Sequence, residues 1–467
     1  MGTVAHHVDA AIDERSLIQG RVIEPGQMGY DTARSGWNLT VEYRPSRIVV
    51  AQSAEDVAAA VQMAGKAGLG IAVMATGHGP ITPAGAEALM IVTSEMTGVE
   101  VDPATRTAWV EAGTKWGAVL SAAQQHGLAP LLGSSPDVGA VGYTLGGGLG
   151  WLARKYGVSA DSVRAFEVVT TDGERLHVSE MEHADLFWGM RGGGGSLAIV
   201  TRMQIALHPV TTVYAGNLLY PVGMAAEILG RYCAWMPSLP EEMTSSIVLM
   251  NFPPFPMVPE PLRGKSFAIV RGCYAGDAQA GEELLKSWRS WREPAIDLFR
   301  PMPFAEASTI SNDPEDPSPG VITGAWLGDL GQEVSDTLMR FTFPLDGPPP
   351  LIFTEVRHVG GASARVDPAT AAYSNRDADL LLDSVAMAPT PEAAEAAKRH
   401  MQAMKTALGS HLTGRVYMNF LEVEESRARI ADAFSPATYQ RLRELKTRWD
   451  PENRLRYGFA IEPLSRR

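Results

Sequence analysis

The sequence predicts an α+β protein built as two units, the first of α/β character and the second with a mainly antiparallel sheet covered by helices. Three observations lead there. At 467 residues the chain is too long for one ordinary core. Residues 44–209 alternate short apolar strand-like runs with amphipathic helical runs, and His208-Pro209 closes a long alternating strand at their end. Residues 210–425 then change character, with prolines clustered at 253–261, 313–318 and 348–350 between strand-like runs. The predicted division is 1–209 (core 44–209), 210–425 and a closing segment 426–467.

Composition narrows the partners. Hydrophobic content of 45% and charged content of 20% suit a globular chain in water. A net charge of −13 and a pI near 5.3 argue against nucleic-acid and anionic-membrane partners, both of which are polyanions. The two cysteines, Cys233 and Cys273, lie in apolar surroundings and read as buried thiols, with no Cys-rich metal site. Met1–Asp9 lacks a basic stretch followed by an apolar run, so no signal peptide is read; nothing reaches the length of a membrane span, and the expected location is the cytoplasm.

In chain order, 13–35 reads as a helical lead-in and 47–51 as a strand. Ser53 with Asp56 resembles a capping box opening a helix whose apolar face carries Val57, Ala60, Val61 and Ala64. Gly68 and Gly70 stop it, and 71–74 forms the next strand, so Ala75-Thr76-Gly77-His78-Gly79 sits at a strand end fed by a β-α-β unit. Strands follow at 90–93 and 107–112, and a helix at 116–126. Residues 131–150 carry many glycines and little helical or strand pattern, which among well-patterned neighbours points to function. A hairpin with an Asp172-Gly173 turn joins 166–171 to 175–179, and 197–207 is a long strand. In the second unit, strands are read at 245–250, 266–271 and 351–358, with helices near 223–236, 277–292 and 391–408. Ser435-Pro436 opens a last helix that stops before Asp450-Pro451.

Several chemistries are excluded by their missing motifs: Cys-x-x-Cys, His-Glu-x-x-His, Gly-x-Ser-x-Gly and the Walker loop are all absent. Gly193–Ala198 matches G-x-G-x-x-A, but a helical turn precedes it and a strand follows, the reverse of a dinucleotide fold. Glycine-rich loops also bind phosphates by presenting successive backbone N–H groups. Gly77 and Gly79 around His78, with the glycines of 133–150, supply two such loops and suit a long diphosphate ligand; service in tight turns alone is the other reading.

At this point the residues resemble a family. The pieces are Gly77-His78-Gly79, Gly133-Ser134-Ser135-Pro136-Asp137-Val138-Gly139, Thr144-Leu145-Gly146-Gly147-Gly148-Leu149-Gly150, Arg154-Lys155-Tyr156-Gly157, Asp185-Leu186-Phe187-Trp188 and Arg191-Gly192-Gly193-Gly194-Gly195. In the tail they are Tyr417-Met418-Asn419 and Asp450-Pro451-Glu452-Asn453. Their order and spacing resemble the vanillyl-alcohol oxidase and p-cresol methylhydroxylase (PCMH) superfamily, above all the bacterial berberine-bridge-enzyme-like oxidases. The resemblance implies a PCMH-type FAD-binding domain of two α/β subdomains, a substrate domain, and a tail that returns to the FAD domain.

It also implies roles. His78 is the residue that would bond the flavin 8α-methyl group, giving histidyl-FAD, with noncovalent FAD as the milder alternative. Ser135 stands where many relatives have a cysteine, and a hydroxyl forms no thioether, so no cysteinyl link is expected. Val138 stands at the family's oxygen gate, where a small valine accompanies oxidases. Thr76, Gly77, Gly79, Asp137, Gly139, Gly142, Tyr143, Gly146, Gly147, Gly148, Gly150, Val200, Asn419 and Asn453 complete the expected cofactor set. Tyr143, Tyr417 and Glu355 are the candidate catalytic groups; no metal is expected. Strand period puts Glu355 and Arg357 on one side and His358 on the other, so a carboxylate raised in pKa by burial could serve as base, a surface ion pair being the alternative. The family's frequent second tyrosine is Phe420 here. The implied reaction moves a hydride from a small-molecule substrate, an alcohol or an aromatic, polyketide-like compound, to FAD and then electrons to molecular oxygen. Trp151, Met250, Phe252 and Phe353 are expected to line an apolar pocket. A dehydrogenase with another acceptor and a non-catalytic flavin carrier are the two other readings.

Overall fold

The computed structural model describes residues 14–79, 82–459 and 461–465; the reading of Met1–Asp9 lies outside them. Three sheets organise the chain. The first holds β1 (Arg21–Ile23), β2 (Arg47–Val50), β3 (Gly70–Met74) and β4 (Ala88–Val92) in the order β1-β2-β4-β3. β2, β4 and β3 run parallel, as strands joined by crossovers do. The helix Ala54–Lys66 begins where the Ser53 hydroxyl accepts the Asp56 N–H at 3.2 Å. Its predicted apolar face is the one buried: Val57, Ala60, Val61 and Ala64 pack on Val49, Ile71, Leu89 and Ile91. Each buried valine contributes roughly 1.5 kcal/mol or more.

The helical lead-in predicted over 13–35 is corrected: a short 3-10 turn, Glu14–Leu17, leads into strand β1, and only Tyr30–Arg34 is helical. The Asp56 carboxylate decides this, accepting the N–H groups of Gln19, Gly20 and Gln52 and so holding the entering chain extended. A Cβ at Gly20 would lie 2.0 Å from the Val50 carbonyl, so this approach needs glycine.

The second sheet is antiparallel: β5 (Val99–Asp102), β6 (Thr107–Glu111), β7 (Val163–Val169), β8 (Arg175–Ser179) and β9 (Ile199–Ala206), ordered β5-β6-β9-β7-β8. The helix Ala184–Met190 precedes Gly193–Ala198 and β9 follows it, so the order that disfavours a Rossmann site is real.

The third sheet, also antiparallel, holds β10 (Thr212–Pro221), β11 (Met243–Asn251), β12 (Ser266–Tyr274), β13 (Ile296–Asp297), β14 (Arg300–Pro303), β15 (Gly320–Leu327), β16 (Phe353–His358) and β17 (Leu380–Met387). Its main order is β13-β10-β12-β11-β16-β17-β15, with β14 also on β10. Helices Ala225–Trp235, Gln332–Thr342 and Pro391–Leu408 cover it through Ile228, Leu229, Val334, Leu338, Met401 and Met404.

The tail comes back to the first two sheets. After helix Pro436–Trp449, Arg454 O accepts the Ile71 N–H at 2.8 Å. The fully buried Lys446 Nζ donates to Asp450 Oδ2 (2.6 Å), Ser196 O (2.8 Å) and Leu455 O (3.0 Å), so every proton of the ammonium is used. Both cysteines are free, Cys273 buried and Cys233 half-buried. Among the described residues no helix is long and apolar enough to cross a membrane.

Candidate functional site

Strand β3 ends at Met74 and delivers His78 to a tight loop. Gly77 has φ +71°, and a Cβ there would lie 2.4 Å from Gly36 Cα. This close approach lets Trp37 N–H bond Thr76 O (2.8 Å) and Asn38 N–H bond Gly77 O (3.1 Å). As a result the Trp37 indole stacks on the His78 ring, centroids 4.3 Å apart with 16° between planes. Sequence reasoning missed Trp37 as a site residue; the Gly36-Trp37 pair is the only local signal.

His78 Nε2 lies 3.1 Å from Asp137 Oδ2, and Lys115 Nζ bonds the other oxygen. Burial is the largest influence on the ring and lowers its pKa; Asp137 pulls upward and Lys115 downward, and the neutral imidazole prevails. Ser135 is buried, its Oγ accepting the Asp137 N–H at 3.3 Å. Val138 O accepts the Trp116 N–H at 3.0 Å, and Gly139 caps the next helix while facing Thr76. The structure thus gathers His78, Thr76, Gly77, Ser135, Asp137, Val138 and Gly139 in one place.

The supposedly irregular stretch 131–150 contains a helix, Ala140–Leu145, which corrects the sequence reading. Gly142 sits inside it and masked its pattern. On this helix Tyr143 meets Trp116 edge-on at 5.8 Å, its hydroxyl buried with no protein partner, and burial raises its pKa. The loop beyond is tightly used by protein: a Cβ at Gly146 would strike Asn419, at Gly147 Tyr373, at Gly148 Tyr143 and Ser159, and at Gly150 Leu132 O. Gly79 and Gly142 alone of the expected cofactor glycines have open space in front of them.

The tail locks this wall. The Tyr417 hydroxyl accepts N–H groups from Leu149 (3.0 Å) and Gly148 (3.1 Å) and the Asn419 amide (3.1 Å), and Asn419 also bonds Tyr143 O (3.0 Å). Burial raises the Tyr417 pKa, the three donors offsetting it in part, so the phenol stays protonated at neutral pH. Phe420 packs edge-on against Tyr417 at 5.0 Å.

Opposite stands one face of the third sheet, where Asn217, Arg271, Ser246 and Arg357 are register partners on β10, β12, β11 and β16. Glu355, two residues from Arg357 and facing Asp383 on β17, is 2% exposed, so the surface ion pair is excluded. Its Oε1 accepts Ser246 Oγ (2.5 Å) and Arg271 Nη1 (3.5 Å); its Oε2 accepts Arg357 Nε (3.1 Å). Burial would raise the Glu355 pKa, but Arg357, Arg271 and Ser246 overcome it and hold the carboxyl below its ordinary range. The expected raised carboxyl is instead Asp383: burial lifts it to about 7, and its Oδ2 has no partner while Oδ1 accepts Arg357 Nε at 3.2 Å. Asp383 was missed because its contacts come from neighbouring strands.

Between this face and the glycine-rich wall lies a cavity bounded by Ser134, Gly150 and Trp151 on one side and Thr244, Glu355 and Arg357 on the other. Trp151 is therefore placed as expected, but Met250, Phe252 and Phe353 pack with Phe267 in a separate cluster. Tyr143 and Tyr417 do not line this cavity. Val200 lies in the apolar core beside Val168, and Asn453 adopts φ +51° with Oδ1 buried and unpartnered, so both make their contacts away from the His78 cluster. The described residues hold no cluster fit for a metal.

A flavin dinucleotide fits these residues on three counts: a neutral histidine in a glycine loop, open space before Gly79 and Gly142, and the orphaned Tyr143 hydroxyl. Comparison with known proteins agrees. Residues 45–179 match the family model of an FAD binding domain, and 416–462 that described as berberine and berberine like. The chain is 26% identical to (R)-6-hydroxynicotine oxidase of Paenarthrobacter nicotinovorans, over 96% of this chain and 97% of that one. The structure of 6-hydroxy-D-nicotine oxidase from Arthrobacter nicotinovorans superposes with a TM-score of 0.83 at 23% identity, covering 96% of this chain and 98% of that one. Glucooligosaccharide oxidase from Acremonium strictum, described with a 6-S-cysteinyl, 8α-N1-histidyl FAD, gives a TM-score of 0.81 at 21% identity over 96% and 98% of the chains.

Proposed function

Because the chain is an FAD-linked oxidoreductase of the berberine-bridge-enzyme-like family, we propose that it is an oxidase carrying FAD on His78. In this reading it takes a hydride from a small organic substrate, an alcohol or an aromatic, polyketide-like compound, and yields hydrogen peroxide from oxygen. The observation that carries the reading is His78 itself, neutral, stacked on Trp37 and held by Asp137. FAD held there supplies the hydride acceptor and the route of the electrons to oxygen.

The chain's own residues do the rest. Asp137 and Trp37 fix the imidazole plane and shield it from water. Ser135 offers only a hydroxyl, so the histidyl bond is the sole link. Val138, small and half-buried, leaves room for oxygen. In the cavity, Trp151 supplies an apolar wall and Glu355 the carboxylate that meets the substrate. Glu355 takes up the substrate proton on Oε1 as the hydride leaves, giving up its bond from the Ser246 hydroxyl to do so, and Arg357 joins it to Asp383, so the pair shares the resulting charge change. Tyr417, protonated and held by three donors, anchors the tail to the glycine-rich wall.

The test is stoichiometric: turnover of an alcohol and phenol panel in air should give one hydrogen peroxide per substrate oxidised. Reduced enzyme mixed with air in a stopped-flow cell should reoxidise at a rate matching turnover; reoxidation much slower than turnover with a quinone would overturn the oxidase reading.

A further inference from the structure

The cavity between Trp151 and β16 has an unusual balance of unused hydrogen-bonding groups. Trp151 Nε1, Thr244 Oγ1 and His358 Nδ1 are all buried without a partner, and all three residues line it. Trp151 and His358 are 8% and 7% exposed. The Trp151 indole can only donate. His358 Nε2 accepts Arg154 Nη1 at 2.8 Å, which leaves the ring proton on Nδ1, so that nitrogen donates as well. Thr244 can donate or accept. The one carboxylate on the lining, Glu355, has both oxygens occupied by Ser246, Arg271 and Arg357. Ser134 gives its proton to Asp313 at 2.5 Å.

Charge points the same way. Arg357, a quarter exposed, lines the cavity, and the buried Arg154 and Arg271 stand behind the lining residues His358 and Glu355, to which they bond. Among the described residues Arg154 has no carboxylate within ion-pair distance; its guanidinium bonds the carbonyls of Met243, Leu239 and Val359. Against them stand Glu355 and the half-buried Asp313, with Asp379 exposed beyond Arg154 and Asp383, lifted by burial to about 7 and so only partly ionised, behind Arg357. A buried donor left unpaired costs about 1–3 kcal/mol, so three together are tolerated where a ligand completes them.

We propose that this cavity is an acceptor pocket that selects a substrate bearing an anionic oxygen, a carboxylate or an ionised phenol or enol, received by Trp151, His358 and Thr244. The inference rests on the oxidase reading for its place in the reaction, but binding is measurable without turnover.

Isothermal titration of the purified holoprotein with benzoate, 4-nitrophenolate and benzylammonium separates the outcomes. The anions should bind, and benzylammonium, equal in size and opposite in charge, should bind at least about tenfold more weakly. Benzoate alone binding would assign a carboxylate, 4-nitrophenolate alone a phenolate or enolate. Trp151→Phe, which removes one N–H and keeps the ring, should weaken the anion by about tenfold; Thr244→Val, on the opposite wall, serves if Trp151→Phe does not fold, and should weaken it likewise. Equal affinity for anion and cation, no anion binding, or wild-type affinity in a folded variant would overturn the proposal. A protein that binds benzoate yet lacks flavin would instead sink the oxidase reading and leave the pocket standing.

Discussion

Trp37 lies flat on His78, 41 residues away along the chain, with ring centroids 4.3 Å apart and 16° between the planes. The contact is worth about 0.5–1.5 kcal/mol as stacking, but its larger effect is electrostatic. Burial is the main cause of the lowered His78 pKa, and the indole is part of that cover. Trp37→Ala should therefore let the pKa rise toward its ordinary value. Flavin attachment needs the neutral ring, so the variant should incorporate flavin severalfold less than wild type at pH 6 and recover at pH 8. Quantifying flavin per polypeptide after reconstitution at the two pH values checks this.

Glu355→Gln removes an ionised carboxylate that Arg271 and Arg357 share. It should lower kcat/KM by roughly 10²–10⁴-fold, the range for loss of a positioned proton acceptor. The same change leaves the buried Arg271 without a carboxylate partner, while Arg357, a quarter exposed, keeps Asp383, so stability should fall by about 3 kcal/mol. Steady-state kinetics beside a urea melt separates the two effects.

Asp383 carries the opposite linkage. Its folded pKa, raised mainly by burial to about 7, exceeds the unfolded value, so the native state holds a proton that the unfolded chain releases. The native fold therefore loses stability as pH rises from the unfolded value through about 7. Asp383→Asn keeps the neutral form permanently. Its melting temperature should exceed that of wild type at pH 8, and the gap should close toward pH 4. A gap that widens toward acid would sink this account of the pair.

Tyr417→Phe deletes an acceptor from the Gly148 and Leu149 N–H groups and from Asn419. Leaving buried donors unmet costs about 1–3 kcal/mol, so thermal stability should drop. Because the phenol stays protonated, proton transfer should survive, with kcat within about threefold of wild type, a spread ordinary for an indirect change.

The sequence carries the site unevenly. His78 at the end of β3 was legible because two strands and a capped helix bracket it with clear periodicity. The Ser53 and Ser435 caps likewise marked helix starts correctly. The helix Ala140–Leu145 was hidden, since Gly142 within it and glycines on both sides mimic a loop. β10 and β17 were not singled out, although both are largely apolar runs that carry Asn217 and Asp383. The pairing of Glu355 with Arg357 followed from strand period, but its pKa did not. That depends on Arg271 and Asp383, which only the sheet order β12-β11-β16-β17 brings alongside. For the same reason the pocket was half read: Trp151 was picked out as an aromatic pocket candidate, whereas Thr244 and His358 needed strand pairing.

The most direct test of the account is the mass of the denatured polypeptide. Wild-type protein, acid-precipitated and washed, should stay yellow and weigh one FAD more than its sequence, and His78→Ala should be colourless at the bare mass. Flavin released entirely into the supernatant by wild type, or an adduct that survives in His78→Ala, would contradict it.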